Sequence, residues 1–257
     1  MIISKRRRFV ITSILLSLGF IGIQFLTDQN RFWAIGALGI VTTLLFAWSL
    51  WEGIGLNMTL LTLVLPTVFT LGVGTFWFLL PANIYTLIPI LIFYAIGTYV
   101  LCLTMNIYTV AAIRTIALLR AAMGVGFVLT LVTAFLSFDA LLSLRSSIFI
   151  LVPLVFIISL PLYLQGFWAM LLEKEFSKDL LTLSVTASLV TAEIASALYI
   201  WPVTVVVGSL FLTVTFYMLL GLGQAKLDER LFPDTIREYL TVGTLVFIAM
   251  FLATHWG

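Results

Sequence analysis

The chain has 257 residues, of which 62% are apolar and 9% charged, against roughly 45–50% and about 25% in an ordinary soluble domain. A mean hydropathy of +1.21 with a net charge of only +2 argues against a water-soluble enzyme, a disordered chain and a nucleic-acid-binding protein. One cysteine, Cys102, and one histidine, His255, exclude an intrachain disulfide framework and a Cys- or His-rich metal site. The composition predicts an all-α, polytopic transmembrane helix bundle.

Nine apolar stretches are long enough to cross a membrane, which requires about 20 mostly apolar residues per helix. In chain order they cover residues 9–26, 32–51, 58–80, 84–105, 121–138, 148–172, 180–200, 203–222 and 239–254. The stretches are continuous rather than alternating, which favours helices over a membrane barrel. The connections between them are too short for a separate folded domain, so we expect residues 1–257 to form a single transmembrane domain.

The basic residues predict the orientation, because Lys and Arg concentrate in cytoplasmic loops. With the N-terminus inside, 11 of the 13 basic residues fall on the cytoplasmic side. These are Lys5, Arg6, Arg7, Arg8, Arg114, Arg120, Lys174, Lys178, Lys226, Arg230 and Arg237. Only Arg31 and Arg145 fall outside. We therefore expect nine spans with a cytoplasmic N-terminus and an external C-terminus, in a bacterial plasma membrane.

An internal duplication is one interpretation of the span pattern. The two candidate halves cover residues 32–138 and 148–254, with 9–26 as an extra first span. A shift of 121 residues places Phe46 on Phe167 and Pro81 on Pro202. The halves would be parallel four-helix repeats, which occur in some transporters. The alternative is that two apolar sequences of this composition share such matches by chance, and the sequence leaves both interpretations open.

One ionisable residue, Glu193, lies well inside a predicted span. Ionisable groups are expensive in hydrocarbon, which makes Glu193 the first candidate for function. Helical spacing places Thr186 and Ser196 on the same stripe, and Gln165 on the preceding span is a suitable polar partner by residue type. The stripe predicts a face directed at other helices or a wet cavity rather than at lipid. Glu193 is then either a proton or cation site or a structural glutamate held by hydrogen bonds.

Motifs of membrane enzymes are absent from the sequence, which has no His-Glu-x-x-His zinc pair and no Gly-Lys-Ser/Thr phosphate loop. We therefore expect no enzymatic activity, no catalytic residue, no bound cofactor or metal and no nucleic-acid partner. Two classes remain. One is a small transporter or permease for an ion, a small molecule or a lipid, with Glu193 beside a cavity. The other is a non-catalytic scaffold, subunit or assembly factor that contacts other membrane subunits as well as the lipid bilayer.

Overall fold

A computed structural model describes residues 4–26, 28–55, 59–80, 84–114, 117–172, 175 and 177–254. Over these ranges the chain forms nine α-helices and one short 3₁₀ helix, Thr59–Leu63, with no strand. The α-helices are α1 (Lys5–Ile23), α2 (Asp28–Ser49), α3 (Val64–Trp77), α4 (Ile84–Ala111), α5 (Leu119–Ser143), α6 (Ile148–Leu171), α7 (Lys178–Ile200), α8 (Val205–Leu227) and α9 (Pro233–Ala253). The prediction of an all-helical fold is confirmed.

Eight helical stretches among the described residues are long and apolar enough to cross a membrane. They correspond to α2 through α9, with the 3₁₀ helix counted as the start of α3. Helix α1 has a suitable length, but Arg6, Arg7 and Arg8 concentrate charge in its first turns. The chain is therefore an integral, multi-pass membrane protein by the length and composition of its helices.

Several helices extend beyond the apolar stretches that predicted them. Helix α9 begins at Pro233 rather than at residue 239, and α8 continues to Leu227, so only residues 228–232 separate them. Helix α5 continues to Ser143, which places Asp139 inside a helix and not in the loop that the sequence predicted. The reason is that apolar composition marks the part of a helix suited to hydrocarbon, whereas backbone hydrogen bonding continues into the interface.

The chain divides into two compact units. Unit 1 comprises Met1–Leu129 with Leu172–Glu175, and unit 2 comprises Thr130–Leu171 with Phe176–Gly257. Helix α5 contributes its first part to unit 1 and its second part to unit 2. The division into halves 32–138 and 148–254 stays a prediction.

The core of unit 1 combines aromatic stacking with hydrogen bonds between hydroxyl groups. Tyr94 on α4 stacks on Phe20 of α1, with ring centroids 4.9 Å apart, and on Phe69 of α3. The Tyr94 hydroxyl lies 3.1 Å from Thr70 Oγ1, which accepts a hydrogen bond of 3.1 Å from Thr42 on α2. Because lipid tails are as apolar as the core, such packing and polar contacts are what hold membrane helices together.

The core of unit 2 is built around Tyr163 on α6. Its ring stacks on Phe216 of α8 with centroids 4.1 Å apart, and its hydroxyl lies 2.9 Å from Thr191 Oγ1 on α7. Helices α6 and α8 also approach closely at Gly223, where an added Cβ would lie 2.4 Å from the Phe167 ring. A Cβ at this crossing would force the buried Phe167 ring or one of the two helices to shift, which favours glycine there.

Candidate functional site

A cavity of about 550 Å³ lies in unit 2, where α5 and α7 end and α6 and α8 begin. We call it the α5–α8 pocket. Its lining comprises Leu141, Leu142, Arg145, Ser146, Leu151, Leu198, Tyr199, Trp201, Pro202, Val203, Thr204, Val205 and Gly208. The volume falls within the range of about 300–1,000 Å³ that is usual for small-molecule sites. The polar and apolar parts of its lining surface are nearly equal, which suits a ligand that has both characters.

The turn between α5 and α6 places Arg145 and Ser146 at the pocket. The last turn of α5 closes with a hydrogen bond of 3.3 Å from the Arg145 backbone amide to the Leu142 carbonyl. Arg145 then takes a left-handed backbone conformation, with φ of 45°, which reverses the chain direction before α6 starts. An arginine in this conformation is uncommon, because its Cβ crowds the backbone and costs roughly 1 kcal/mol.

The opposite side of the pocket is formed by the corner between α7 and α8. Helix α7 ends at Ile200 with Trp201 as its C-cap, and Pro202 has no amide hydrogen with which to continue the helix. Thr204 caps the start of α8, its hydroxyl accepting a hydrogen bond of 3.4 Å from the Val207 amide. The corner therefore brings the positive end of the α8 dipole to the pocket, next to the start of α6.

Two polar groups of the pocket have no partner among the described residues. The Arg145 guanidinium is exposed and makes neither a hydrogen bond nor an ion pair with any described side chain or carbonyl. The Ser146 Oγ is buried without a hydrogen-bond partner. A buried, unsatisfied hydroxyl costs about 1–3 kcal/mol, so a ligand that bonds to it would recover that energy. Together with two helix starts, these groups favour an anion.

The other arginine predicted outside, Arg31 in unit 1, is used differently. Its Nε donates to the Leu26 carbonyl at 2.8 Å, and one of its terminal nitrogens donates to the Gln24 carbonyl at 2.8 Å. These bonds satisfy carbonyl groups that follow the end of α1. Arg31 is therefore a capping residue, whereas the guanidinium of Arg145 is available to a ligand.

The residues predicted as an intramembrane polar site do not form one cluster. Glu193 and Thr186 are exposed on α7, on the side opposite to the buried Ser184, Ser188 and Thr191. The half-buried Ser196 donates its hydroxyl to the Glu193 carbonyl at 2.6 Å. Gln165 on α6 is buried, and its Oε1 has no hydrogen-bond partner among the described residues. Glu193 is also not among the residues that line the α5–α8 pocket.

A charged cluster that the sequence reasoning missed fixes the start of α1 to the end of α2 in unit 1. Arg8 is buried and forms an ion pair with Glu52, which also accepts from Lys5 Nζ at 2.8 Å. Hydrogen bonds from Lys5, and next from Arg8, hold the pKa of Glu52 below its ordinary value. The sequence signal was available, because a basic run and an acidic residue lie at helix ends on the same predicted side. Glu173, which the shift of 121 residues places on Glu52, lies outside the described residues.

A metal centre is not indicated by the arrangement of side chains. Within the described ranges there is no group of three or more His, Cys, Asp or Glu side chains placed to hold an ion. Asp139 is buried, and its Oδ1 accepts a hydrogen bond of 2.9 Å from the Ser209 hydroxyl. That bond joins α5 to α8 beneath the pocket and gives Asp139 a structural role.

Residues 11–253 match the model of a family described as Protein of unknown function (DUF5656), and the chain belongs to that family. No curated protein matches the chain, and no solved structure does.

Proposed function

We propose that the protein is a small membrane transporter that takes up an anionic amphiphile, either a lipid or a free organic acid, through the α5–α8 pocket. The observation that carries this proposal is the unpaired Arg145 guanidinium beside the buried, unsatisfied Ser146 hydroxyl. The apolar lining, which includes Leu141, Leu151 and Leu198, would receive the tail of such a ligand. The head would be a carboxylate or phosphate, since both accept hydrogen bonds from guanidinium and hydroxyl groups.

The proposal includes a topology of nine spans in a plasma membrane, with α1 as the first span and the N-terminus in the cytoplasm. Arg145 and the pocket then lie at the outer face, where lipid headgroups and water meet. Arginine at such a position can bind an anionic headgroup without crossing hydrocarbon. The membrane-embedded parts of α5 to α8 would provide the path for the apolar part of the ligand.

Enzymatic turnover is not part of the proposal. Among the described residues that line the pocket there is no His, Asp or Glu. The hydroxyls of Ser146 and Thr204 therefore have no general base beside them in the pocket, which nucleophilic catalysis by a hydroxyl would require. The pocket residues support binding and release.

The test uses full-length protein in phosphatidylcholine vesicles. Fluorescently labelled phosphatidylglycerol tests a lipid substrate, dansyl-undecanoate tests a free acid, and labelled phosphatidylcholine serves as a zwitterionic control. Wild type should move one of the anionic probes, and Arg145→Ala should reduce that transfer by about 10-fold or more, because a hydrogen bond to a charged group contributes roughly 1.5–3 kcal/mol. Arg31→Ala, which removes the same charge from the same predicted face, should retain it.

Three outcomes would contradict the proposal. Wild type that moves neither anionic probe is not a transporter of this class. Equal loss in Arg145→Ala and Arg31→Ala would assign the effect to surface charge and not to the pocket. Transfer of labelled phosphatidylcholine at the same rate as the anionic probes would show that transfer does not require a negatively charged ligand.

A scaffold or subunit of a larger membrane complex is the second candidate, and the exposed Glu193 favours it. A carboxyl group on the outer side of α7 is better placed to contact another chain than to line a cavity of its own unit. Purification in a mild detergent would separate the two candidates. A stoichiometric partner protein, with no transfer of either anionic probe, would support the scaffold.

A further inference from the structure

The first turns of α1 carry four consecutive basic residues, which the fold of unit 1 divides into two pairs. Lys5 and Arg8 both form ion pairs with Glu52, just after the end of α2. Arg6 and Arg7 are exposed and make no hydrogen bond or ion pair with any of the described residues. One pair therefore serves the packing of unit 1, whereas two guanidinium groups remain available to a ligand outside the chain.

Exposed apolar side chains continue from these arginines along the same side of α1. Val10, Ile14 and Leu18 are exposed and follow Arg7 at intervals of three, four and four, the spacing that keeps residues on one side of a helix. The buried side of α1 includes Phe20, whose ring stacks on α4. We use the term exposed face of α1 for Arg6, Arg7, Val10, Ile14 and Leu18. This face is basic at its start and apolar along the rest of its length.

A phospholipid has the same two parts in the same order. The eight residues from Val10 to Leu18 span about 12 Å at roughly 1.5 Å per residue. This length fits within the roughly 15 Å that one leaflet contributes to a hydrocarbon core of about 30 Å. Guanidinium groups avoid hydrocarbon and extend to the interface, so Arg6 and Arg7 lie at the level of the headgroups when Val10 contacts the chains. The phosphate of one lipid and one of its chains can then contact the two parts of the face.

The charges around the face favour an anionic lipid over a zwitterionic one. The first turn of α1 has no acidic residue, and the carboxylate of Glu52 is already engaged in two ion pairs. The turn between α8 and α9 differs, because Arg230 pairs with Asp228 at 3.1 Å and Arg237 with Asp234 at 3.6 Å. Acidic neighbours neutralise those two arginines. The start of α1 keeps an excess of positive charge, which attracts a headgroup with a net negative charge.

We propose that the exposed face of α1 is a binding site for an anionic phospholipid, whose phosphate accepts hydrogen bonds from Arg6 and Arg7 while one chain lies along Val10, Ile14 and Leu18. Each arginine beside anionic headgroups increases their local occupancy about 5-fold. The site shares no residue with the α5–α8 pocket and does not depend on transport.

The contact is tested in phosphatidylcholine vesicles by quenching of a fluorophore with spin-labelled lipids. In full-length protein the buried Cys102 is first replaced by alanine, and Val10→Cys then carries the fluorophore. Leu240→Cys on α9 is the matched control, because each position is exposed and lies three residues after an arginine, but the one before Leu240, Arg237, has an acidic partner. Spin-labelled phosphatidylglycerol should associate about 5-fold or more tightly than spin-labelled phosphatidylcholine at Val10, and less than about 2-fold at Leu240.

The role of the two arginines is tested by changing them together. Arg6→Gln with Arg7→Gln should abolish the preference at Val10, because glutamine retains hydrogen-bond donors but not the charge. Arg6→Lys with Arg7→Lys should retain a preference, since lysine remains positive. The glutamine variant should melt at the wild-type temperature, because neither arginine bonds to a described residue. Arg145→Ala should leave the preference at Val10 intact, which separates this site from the α5–α8 pocket.

Four outcomes would overturn the proposal. Equal preference at Val10 and Leu240 would mean that the face does not select a lipid. An unchanged preference in the glutamine variant would show that Arg6 and Arg7 do not hold the headgroup. Displacement of the labelled phosphatidylglycerol by inorganic phosphate at matched ionic strength would assign the arginines to a free anion. Loss of the preference in Arg145→Ala would place the bound lipid at the α5–α8 pocket instead.

Discussion

The hydroxyls of Tyr163 and Thr191 meet at 2.9 Å inside unit 2, and each residue lies 121 positions after a member of the Thr42–Thr70 pair in unit 1. The same shift aligned the sequence matches between the two candidate halves. Equivalent contacts between α2 and α3 and between α6 and α7 are what a common origin of these helix pairs predicts. They do not decide which helix is the additional one.

Aromatic contacts between helices in each unit indicate which helix is additional to the two candidate repeats. Phe20 of α1 stacks on Tyr94 of α4 in unit 1, and Phe138 of α5 contacts Phe216 of α8 in unit 2 with ring centroids 6.1 Å apart. This parallel predicts that α1–α4 superpose on α5–α8 and that α9 is the additional helix. Superposition of the two sets of helices checks it, and a better superposition of residues 32–138 on 148–254 would restore the division expected from the sequence.

Removing the Tyr163–Thr191 hydrogen bond should destabilise unit 2. We expect Tyr163→Phe and Thr191→Val each to lower the free energy of unfolding by about 0.6–1.5 kcal/mol, because both atoms are buried. The double variant should lose less than the sum of the two, since the same bond is removed twice. Thr244→Val is the control, because its exposed hydroxyl bonds only to the Leu240 carbonyl of its own helix. Strict additivity in the double-mutant cycle would contradict the prediction.

The glycine at the crossing of α6 and α8 should be intolerant of a side chain. Gly223→Ala would place a methyl group 2.4 Å from the Phe167 ring, so we expect it to destabilise the fold by about 1–3 kcal/mol. Gly124→Ala in α5 is the matched variant, because nothing lies within 4 Å of the added Cβ. In that open position alanine should stabilise the helix by roughly 0.5–1 kcal/mol. Thermal unfolding in detergent measures the stability of both variants. Stability changes of the same sign would be inconsistent with a close approach of α6 and α8 at Gly223.

Glu52 should make stability fall at acid pH. Its pKa is lowered in the folded protein by hydrogen bonds from Lys5 and Arg8, so the unfolded chain takes up the proton first. The stabilisation is therefore complete above the unfolded pKa, near 4.5, and is lost as the pH falls through the lower folded value. The effect should be small, because surface ion pairs contribute about 0–1 kcal/mol.

Melting curves between pH 7 and pH 3 measure this dependence. Glu52→Gln should flatten the curve at low pH, whereas Glu238→Gln, which removes an exposed carboxylate from α9, should leave it unchanged. High salt should reduce the difference between wild type and Glu52→Gln, because the pair is accessible to ions. A Glu52→Gln curve parallel to that of wild type would count against the ion pair.

The two arginines predicted outside should respond differently to removal. Arg31→Ala leaves the Gln24 and Leu26 carbonyls without their donor, so we expect a loss of about 0.5–1.5 kcal/mol in the free energy of unfolding. Arg145→Ala removes no hydrogen bond or ion pair with the described residues and leaves the packing of the core unchanged. The melting temperature of this variant should therefore stay within error of the wild-type value. A destabilised Arg145→Ala would show that its side chain supports the fold, and the pocket assignment would then lose its main observation.

The orientation can be checked with reporter fusions in the short segments between helices. Reporters at Leu118, Glu175 and Arg230 should be cytoplasmic, because these segments carry or adjoin most of the basic residues. A reporter at the C-terminus should be external. A cytoplasmic C-terminus would contradict the topology of nine spans.

The sequence by itself determined the helical class, the position of each apolar segment and the residues that could carry charge into the membrane. Partition into hydrocarbon depends on the composition of each segment, which explains why every apolar stretch corresponds to a helix in the described ranges. The extra turns at Pro233–Glu238 and at Asp139–Ser143 were missed because hydropathy does not register a helix that continues into the interface.

Only the tertiary structure decided which way each side chain faces. Glu193 was expected to face other helices or a cavity, yet it lies on the exposed side of α7, while Ser184 and Thr191 of the same helix are buried. Arg31 and Arg145 looked alike in the sequence, but one caps a helix and the other adjoins a pocket. In water, the apolar side of a helix identifies its buried face. In a membrane, lipid and protein interior are equally apolar, so the buried face is chosen by close packing and by hydrogen bonds such as Tyr163–Thr191.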